Sequence, residues 1–295
     1  MKDLIYSDLA LESATIEESR SETSREIKEF DFGFAKLSEL VINDKLLSQK
    51  HQRPIGRYLT ISTEQIWLMS EVAHNALSSL IGNELSKMIC ELVPDKQKRT
   101  LSVLVVGLGN SDITSDAIGP QTVSRLTVTS HIEKIDPHLF SKLEKCKVSA
   151  FVPGVLAQTG IETLDLIQGV VLNSTPDVVI VIDALAARSC QRLGRTIQIS
   201  DTGISPGSGI GNNRKRINRD SLGVPVIAIG VPTVVDSATL VYDALENAGI
   251  DDVPKKLLDV LDNSRSFFVT PKECDIICDS VAILLSNALD IAFSL

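Results

Sequence analysis

The stretch that decides the fold is Val-Leu-Val-Val-Gly-Leu-Gly-Asn-Ser-Asp-Ile-Thr-Ser-Asp-Ala-Ile-Gly-Pro, from Val103 to Pro120. Its first four residues are apolar and mostly β-branched, which is typical of a buried strand. Two glycines and a polar turn follow at once, so the strand opens onto a loop that carries Asp112 and Asp116. In an open parallel sheet, ligands bind beyond the carboxyl ends of the strands, so this acidic loop is a candidate site.

Strand and helix patterns alternate along the chain after this stretch. Short apolar runs predict strands at 148–152, 178–182, 196–199 and 224–231. Apolar residues at helical spacing predict helices at 121–129, 159–172, 233–248 and 253–261, with a last helix at 276–293. This alternation predicts an α/β fold with a mostly parallel sheet, helices on both faces and further helices at the carboxyl end.

The amino-terminal third is predicted with less regular elements. Ser62-Thr-Glu-Gln65 has capping-box spacing, so it predicts the start of a long helix whose apolar residues recur at helical intervals up to Ile81. The first thirty residues are rich in Glu, Ser and Thr, and we expect either a mobile arm or a helix on the surface. Within them, Asp8-Leu-Ala-Leu-Glu12 is a short apolar insert between acidic residues.

Composition and charge narrow the class of protein. The chain has 295 residues, of which 43% are hydrophobic and 23% charged, as in an ordinary globular protein, and no apolar run approaches the roughly 20 residues that span a bilayer. The amino terminus lacks a signal-peptide pattern, which predicts a cytoplasmic protein. The five cysteines show no Cys-x-x-Cys spacing and signal neither a disulfide framework nor zinc. A net charge of −9 opposes non-specific binding to nucleic acid.

A second acidic residue follows an apolar run at Asp177-Val-Val-Ile-Val-Ile-Asp183. If this strand neighbours the first one, Asp183 and Asp116 share one crevice at the carboxyl edge of the sheet. Two close carboxylates cannot both ionise freely, so such a pair divides into a general acid and a general base, which is enough to activate water against a peptide bond. The alternative is that Asp183 caps a helix starting at Ala184.

A glycine-rich segment offers a further candidate site. Gly207, Gly209 and Gly211 alternate with Ser208 and Ile210, which is neither the dinucleotide fingerprint nor a P-loop. The segment has three open uses: a phosphate cradle, a source of backbone N–H groups for an oxyanion, or a flap over an extended peptide. The four histidines all lie outside the strand-end motifs, so we expect no metal site.

Five motifs occur in order between 101 and 236. They are Gly-Leu-Gly-Asn at 107–110 with Asp-Ala-Ile-Gly-Pro at 116–120, Pro-Gly-Val-Leu-Ala-Gln-Thr-Gly-Ile-Glu at 153–162, Ile-Asp-Ala-Leu-Ala-Ala-Arg-Ser at 182–189, Thr-Ile-Gln-Ile-Ser-Asp-Thr-Gly-Ile-Ser-Pro-Gly-Ser-Gly at 196–209, and Gly-Val-Pro-Val-Ile-Ala-Ile-Gly-Val-Pro-Thr-Val-Val-Asp at 223–236. In these motifs the chain closely resembles the germination proteases of endospore-forming bacteria.

This resemblance implies an endopeptidase that degrades small acid-soluble spore proteins in the spore core during germination. It implies a homotetramer whose precursor removes its own amino-terminal segment, here residues 1–8 by a cut between Asp8 and Leu9, leaving a protease domain of residues 9–295. It also implies a fold similar to that of the hydrogenase-maturation peptidases and a catalytic pair at Asp116 and Asp183. We expect no cofactor, and the hydropathy and charge described above predict no membrane or direct nucleic-acid partner. One departure is Ser115, where family members often carry proline.

Two rival interpretations stay open from the residues alone. The first is a metal-dependent peptidase of the maturation type that uses the aspartate pair with a recruited histidine. The second is a non-catalytic α/β module that binds a phosphate-bearing ligand at Gly207–Gly211.

Overall fold

The computed structural model describes residues 7–12, 27–95, 101–207, 215–250, 254–263 and 267–294. Within these ranges the strands are β1 (Ile27–Asp31), β2 (Ala35–Ile42), β3 (Gly56–Thr63), β4 (Ser102–Gly107), β5 (Lys147–Phe151), β6 (Val178–Ala187), β7 (Thr196–Ser200), β8 (Val226–Asp236) and β9 (Phe268–Val269).

The helices surround this sheet. They are α1 (Lys45–His51), α2 (Glu71–Leu92), α3 (Ile118–Arg125), α4 (Ser130–Ile135), α5 (Pro137–Lys142), α6 (Leu156–Thr159), α7 (Thr163–Ser174), α8 (Arg219–Leu222), α9 (Ser237–Asn247), α10 (Lys255–Asn263) and α11 (Cys274–Ala292). Within the described ranges, none of them combines the length and the apolar character needed to cross a membrane.

The sheet consists of a parallel part and an antiparallel part. Strands β5, β4, β6 and β8 lie side by side in parallel, and β7, β3, β2 and β1 continue from β8 in antiparallel pairs, while β9 pairs with the end of β8. The parallel strands are those that alternate with helices, because a parallel pair needs a crossover connection. The α/β class predicted from the alternation is therefore confirmed, but the sheet is mixed rather than mostly parallel, because parallel pairing is confined to four of the described strands.

Both faces of the parallel part are buried, as the uninterrupted apolar run of β4 requires. Val103 and Val105 belong to a core cluster that also contains the inner faces of α2 and α11. Leu104 and Val106 point the other way, into a cluster with Leu164 and other residues of α7. The last helix, predicted at 276–293, spans Cys274–Ala292 and packs deep in the first cluster.

Two predicted helix starts and one alternative start are wrong, and in each case a strand runs further than its apolar pattern indicated. The alternative start at Ala184 lies inside β6, where Ala184 pairs with Val231 of β8. The helix predicted from Thr233 begins only at Ser237, because β8 extends through Asp236. Sheet pairing satisfies the backbone groups that a helix would otherwise bond internally.

The third start shows how the true cap differs from the predicted one. Strand β3 extends to Thr63, which pairs with Ala35, so the capping-box spacing at Ser62 starts no helix. Helix α2 begins at Glu71, where the side chain of Ser70 accepts a hydrogen bond from the N–H of Ala73.

Candidate active site

Asp116 lies on a single turn of 3-10 helix, Thr114–Asp116, between β4 and α3. Its backbone N–H donates to the carbonyl of Ile113 at 2.8 Å, and its carboxylate Oδ2 accepts from the N–H of Asn110 at 2.8 Å. A carboxylate that accepts from a backbone N–H six residues earlier is oriented by the loop itself, so its direction depends on local backbone geometry.

Two glycines let this loop pack backbone against backbone. A Cβ added at Gly109, whose φ is +114°, would meet the carbonyl oxygen of Asp116 at 2.0 Å. One added at Gly119 would meet the carbonyl oxygens of Leu108 and Ile182 at 2.3 and 2.7 Å. The glycines of the Gly-Leu-Gly and Ile-Gly-Pro motifs therefore serve close approach, since any side chain would displace the turn.

The turn is also held by two residues from distant elements. The buried hydroxyl of Thr233 donates to the carbonyl of Ser115 at 2.7 Å. The thiol of Cys278 on α11 donates to the carbonyl of Thr114 at 3.2 Å. Contact with Cys274 and burial raise the pKa of the Cys278 thiol, which keeps the proton that this hydrogen bond needs.

Thr233 reaches the turn because β8 contains an irregularity. Leu185 pairs with Pro232 and the next residue, Ala186, pairs with Val234, so Thr233 is the extra residue of a β-bulge. Bulges commonly redirect a side chain beside a functional site, and this one directs a hydroxyl at the carbonyl next to Asp116.

Asp183 belongs to β6, the neighbour of β4. Gly107, the last residue of β4, pairs with Ile182, and the N–H of Leu108 donates to the carbonyl of Ile182 at 2.8 Å. Asp183 follows directly and is 6% exposed, with its Oδ1 accepting from the N–H of Ala184 at 3.0 Å. The two aspartates thus belong to the same end of adjacent parallel strands, although Asp183 lies within its strand rather than after it.

The glycine-rich segment is described only at its base. Ile204 and Ile217 exchange backbone hydrogen bonds of 2.9 and 2.8 Å, and Gly207 adopts φ +71°. The candidate positioning residues Ser208, Gly209 and Gly211 lie outside the described residues.

The short segment Ser7–Glu12 is docked on the sheet, and its residues Ala10–Glu12 form a helical turn, so the expected helix is present in part but is buried rather than exposed on the surface. Leu9 and Ala10 are both 0% exposed. Leu9 packs in a cluster with Leu185 and other residues at the ends of β6 and β8, and Ala10 packs with residues of β2 and β3. Two apolar residues of the acid-flanked insert are therefore buried, each in a different hydrophobic cluster.

Hydrogen bonds fix the backbone of this segment. The N–H of Asp8 donates to the carbonyl of Ala186 at 2.9 Å, and the N–H of Ala186 donates to Oδ2 of Asp8 at 2.9 Å. Arg53 donates through Nη2 to the carbonyl of Ser7 at 2.8 Å. The bond between Asp8 and Leu9 is therefore held at the end of β6, three residues beyond Asp183 along that strand.

Glu12 anchors the far end of the segment. Its carboxylate accepts from the backbone N–H groups of Arg188 and Ser189 at 2.8 and 3.2 Å and pairs with Nε of Arg192 at 3.0 Å. The Glu12 side chain is 6% exposed, so these partners compensate a charge that water reaches poorly.

A polar cavity of about 70 Å³ borders the docked segment. Asp8, Arg53, Tyr58, Gln198 and Gly230 are among the residues that line it. Burial lowers the pKa of Arg53, and the nearby Asp8 carboxylate opposes that shift, while burial raises the pKa of Tyr58. The cavity is therefore a partly desolvated polar space at the position where the chain was predicted to be cut.

Gln198 also belongs to this site, although no argument from the sequence predicts a role for it there. Its side-chain Nε2 donates to the carbonyl of Asp8 at 3.3 Å, and its Oε1 accepts from the N–H of Ala10 at 2.6 Å. A signal was present, because Thr-Ile-Gln-Ile-Ser places one long polar side chain between two buried isoleucines of a strand. Alternation along β7 directs it to the opposite face of the sheet from those isoleucines.

The described residues contain no group of three or more His, Cys, Asp or Glu side chains arranged to hold a metal ion.

The germination protease family model matches residues 6–253 of the chain. The chain is 38% identical over 310 residues to the germination protease of Caldanaerobacter subterraneus subsp. tengcongensis, covering 98% of this chain and 94% of that protein. It is 40% identical over 321 residues to that of Clostridium perfringens strain 13, with 98% and 94% covered. For the Bacillus subtilis protein the values are 44% over 251 residues, with 82% and 66% covered.

Among solved structures, the chain is similar to a [NiFe] hydrogenase maturation protease, HycI, from Thermococcus kodakarensis. The TM-score is 0.36 and the identity 17%, covering 68% of this chain and 98% of the other. This likeness is too low for site residues to be transferred from it.

The fold and site define an α/β protein with acidic side chains at one end of its parallel strands, and the sequence relatives identify its class as peptidase. The chain belongs to the germination protease family.

Proposed function

We propose that this chain is a self-processing endopeptidase that starts the degradation of small acid-soluble spore proteins in the spore core, using Asp116 and Asp183 to activate water. The observation that carries the proposal is the docking of Ser7–Glu12 across the end of β6, the strand that contains Asp183. A peptide segment fixed on the strand that carries one carboxylate of the pair supports the proposal, because peptide hydrolysis requires the bond and the reacting groups to be held together.

The chemistry needs one carboxylate in each protonation state. The deprotonated one takes a proton from water as the water oxygen attacks the peptide carbonyl, and the protonated one delivers a proton to the leaving amine. Asp116 is suited to a fixed orientation because Asn110 donates to it, and Asp183 is suited to a partly desolvated role because it is nearly buried. We leave the two roles unassigned between them.

We call the surface of the sheet that holds Ser7–Glu12 the groove. The contacts in this groove support self-processing between Asp8 and Leu9, which would convert the precursor into a mature chain of residues 9–295. In the folded chain that bond is anchored by hydrogen bonds on both sides and borders the polar cavity, while the next residues, Ala10–Glu12, form a helical turn. A bond anchored on both sides is held in one position, which favours its cleavage. Gly207–Gly211 is a candidate for positioning longer protein substrates over this groove.

Assembly as a homotetramer is part of the proposal. On α11, Ile276, Ile283 and Ile291 are 52%, 39% and 37% exposed, and their spacing brings them to one side of the helix. Exposed apolar surface of this kind is typical of subunit contacts. Light scattering coupled to size exclusion is expected to give four chain masses, and a monomer at micromolar concentration would contradict this part of the proposal.

The catalytic pair is tested by Asp116→Asn and Asp183→Asn. Asparagine keeps the shape and an acceptor oxygen but cannot exchange a proton, so each variant loses general acid–base catalysis. We expect the rates of self-cleavage and of cleavage of a purified spore protein to fall at least about 1,000-fold. The matched control is Asp112→Asn on the same loop, which should cleave at the unmodified rate. The mass of the new amino terminus identifies the cut bond.

Three outcomes would overturn parts of this proposal. Full activity of both asparagine variants would remove the catalytic pair. Loss of activity on adding a chelator, restored by a divalent metal, would replace it with metal-dependent hydrolysis. A mature chain that begins far from Leu9 would remove the assigned processing bond.

A further inference from the structure

Gln198 contacts the backbone on both sides of Leu9. Nε2 lies 3.3 Å from the carbonyl oxygen of Asp8, and Oε1 lies 2.6 Å from the N–H of Ala10. These two partners admit one orientation of the amide, because a carbonyl only accepts and an N–H only donates. The donor of Gln198 therefore faces the carbonyl of the bond proposed to be cut.

Gln198 also lies in one row with Asp183 across the sheet. Both residues pair in register with Gly230, Gln198 from β7 and Asp183 from β6. Residues directly opposite each other share a face of the sheet, and two strand spacings separate their Cα atoms by roughly 9.6 Å. Gly230 has no side chain, and the side chain of Leu185 packs over it, where an added Cβ would meet Leu185 Cδ1 at 2.3 Å, so the row holds a carboxylate and an amide with Leu185 at the position between them.

The Asp8 carbonyl is brought to this row by contacts that do not involve Gln198. The backbone exchange between Asp8 and Ala186 fixes one side of the segment, and the burial of Leu9 fixes the next residue. The polar cavity of about 70 Å³ is lined by Asp8, Gln198 and Gly230, and has room for water beside this carbonyl.

We infer that Gln198 is a further catalytic residue, whose Nε2–H stabilises the negative charge that develops on the carbonyl oxygen of the cut bond. The inference rests on the proposed cut between Asp8 and Leu9, and it extends to the equivalent carbonyl of protein substrates bound in the same groove.

The step balances without any further reactant. Water oxygen bonds to the Asp8 carbonyl carbon, its proton passes to one aspartate, and the carbonyl π pair moves onto the oxygen that Gln198 contacts. The tetrahedral intermediate then collapses, the bond to the Leu9 nitrogen breaks, and that nitrogen takes a proton from the other aspartate. Gln198 transfers no proton and acts through a hydrogen bond that strengthens as charge accumulates.

A neutral amide donor leaves a distinctive kinetic signature. Removing one oxyanion donor typically costs roughly 100- to 1,000-fold in kcat. Because the amide does not titrate, its removal should lower the rate at every pH while the acid and base limbs of the profile keep their midpoints. A group that only bound the segment would instead change KM.

The test compares Gln198→Met with Gln168→Met. Methionine has nearly the same length but no N–H, and the control removes an equivalent bond on α7, from Gln168 Nε2 to the carbonyl of Ser221 at 2.9 Å. For Gln198→Met we expect a roughly 100- to 1,000-fold fall in the first-order rate of self-cleavage and in kcat on a purified spore protein, with an unshifted pH profile. Gln168→Met should retain the unmodified rate.

A second variant distinguishes loss of the N–H donor from misfolding of the first variant. Gln198→Glu keeps the acceptor for Ala10 but lacks the N–H toward Asp8 at neutral pH, so we expect a comparable loss with thermal unfolding close to that of the unmodified chain. Rates within threefold of unmodified for either folded variant, or a higher KM with unchanged kcat, would overturn the role of Gln198. Full activity of Asp116→Asn and Asp183→Asn in the same assay would instead overturn the proposed function.

Discussion

The two aspartates of the proposed pair are held by different kinds of contact. The carboxylate of Asp116 is oriented by Asn110, six residues away on the same loop. Asp183 instead lies in a strand that pairs with Gly230 on β8, and three residues further along that strand Ala186 bonds to Asp8, 178 positions away in sequence. One half of the site is thus built locally, and the other half forms only when distant parts of the chain meet.

The largest expected effect comes from breaking the local half at Gly119 of α3. Gly119→Ala adds a Cβ that meets backbone oxygens of Leu108 and Ile182 at 2.3 and 2.7 Å, so we expect a loss of about 3 kcal/mol in the free energy of unfolding and no detectable cleavage. Urea unfolding and the self-cleavage assay measure both.

Gly169→Ala is the matched control, because Gly169 also lies within a helix, α7, and has nothing within 4 Å of an added Cβ. Alanine should stabilise it by about 0.5–1 kcal/mol, since glycine is the poorer helix former. Equal effects of the two substitutions would show that backbone crowding at Gly119 does not support the turn.

The next effect comes from breaking the distant half at Glu12. Glu12→Ala leaves the N–H groups of Arg188 and Ser189 and the charge of Arg192 without this carboxylate, so the docked segment should detach. We expect self-cleavage to slow at least tenfold and limited proteolysis to cut the segment faster, while cleavage of an added spore protein is maintained because the groove is open to it.

The exposed Glu64 offers the control for that substitution, and Glu64→Ala should leave both rates unchanged. A Glu12→Ala chain that processes itself at the unmodified rate would contradict the view that the docked segment is the processed one.

The smallest effect is expected at Thr233, a residue distant in sequence that supports the locally built half of the site. Thr233→Val removes the hydroxyl bond to Ser115, which should cost about 1 kcal/mol in stability and lower kcat about tenfold, with rescue by Thr233→Ser. Thr129→Val removes a buried hydroxyl bond of equal length, 2.7 Å to the carbonyl of Cys146, together with the bond that this hydroxyl accepts from the N–H of Val148, and should cost stability without lowering kcat. Equal kcat values in the two valine variants would reduce Thr233 to a structural role.

The elements predicted correctly from sequence are those whose signals are local. The apolar run 103–106 predicts a strand, which spans Ser102–Gly107 in the structure, and the two glycines and polar residues after it predict the acidic turn. The burial of both faces of β4 followed from its uninterrupted apolar run.

The elements predicted wrongly are those decided by pairing partners. Ala184 looked like a helix start because it follows an aspartate and begins an alanine-rich run, yet β8 pairs with β6 through Ala187 and continues the strand. Ser62 has capping-box spacing, yet β2 pairs with β3 through Thr63. Helix propensity is a weak preference that long-range pairing overrides.

The α/β class, the acidic turn after β4 and the membership of a peptidase family follow from the sequence, because apolar period, glycine placement and motif order are properties of contiguous residues. Three further features depend on the tertiary structure: the Thr233 bulge clamps that turn, Ser7–Glu12 lies buried on the sheet, and Gln198 and Asp183 both pair with Gly230. The first two join residues 118 and 178 positions apart, and all three arise from strand register and packing, which no local pattern encodes.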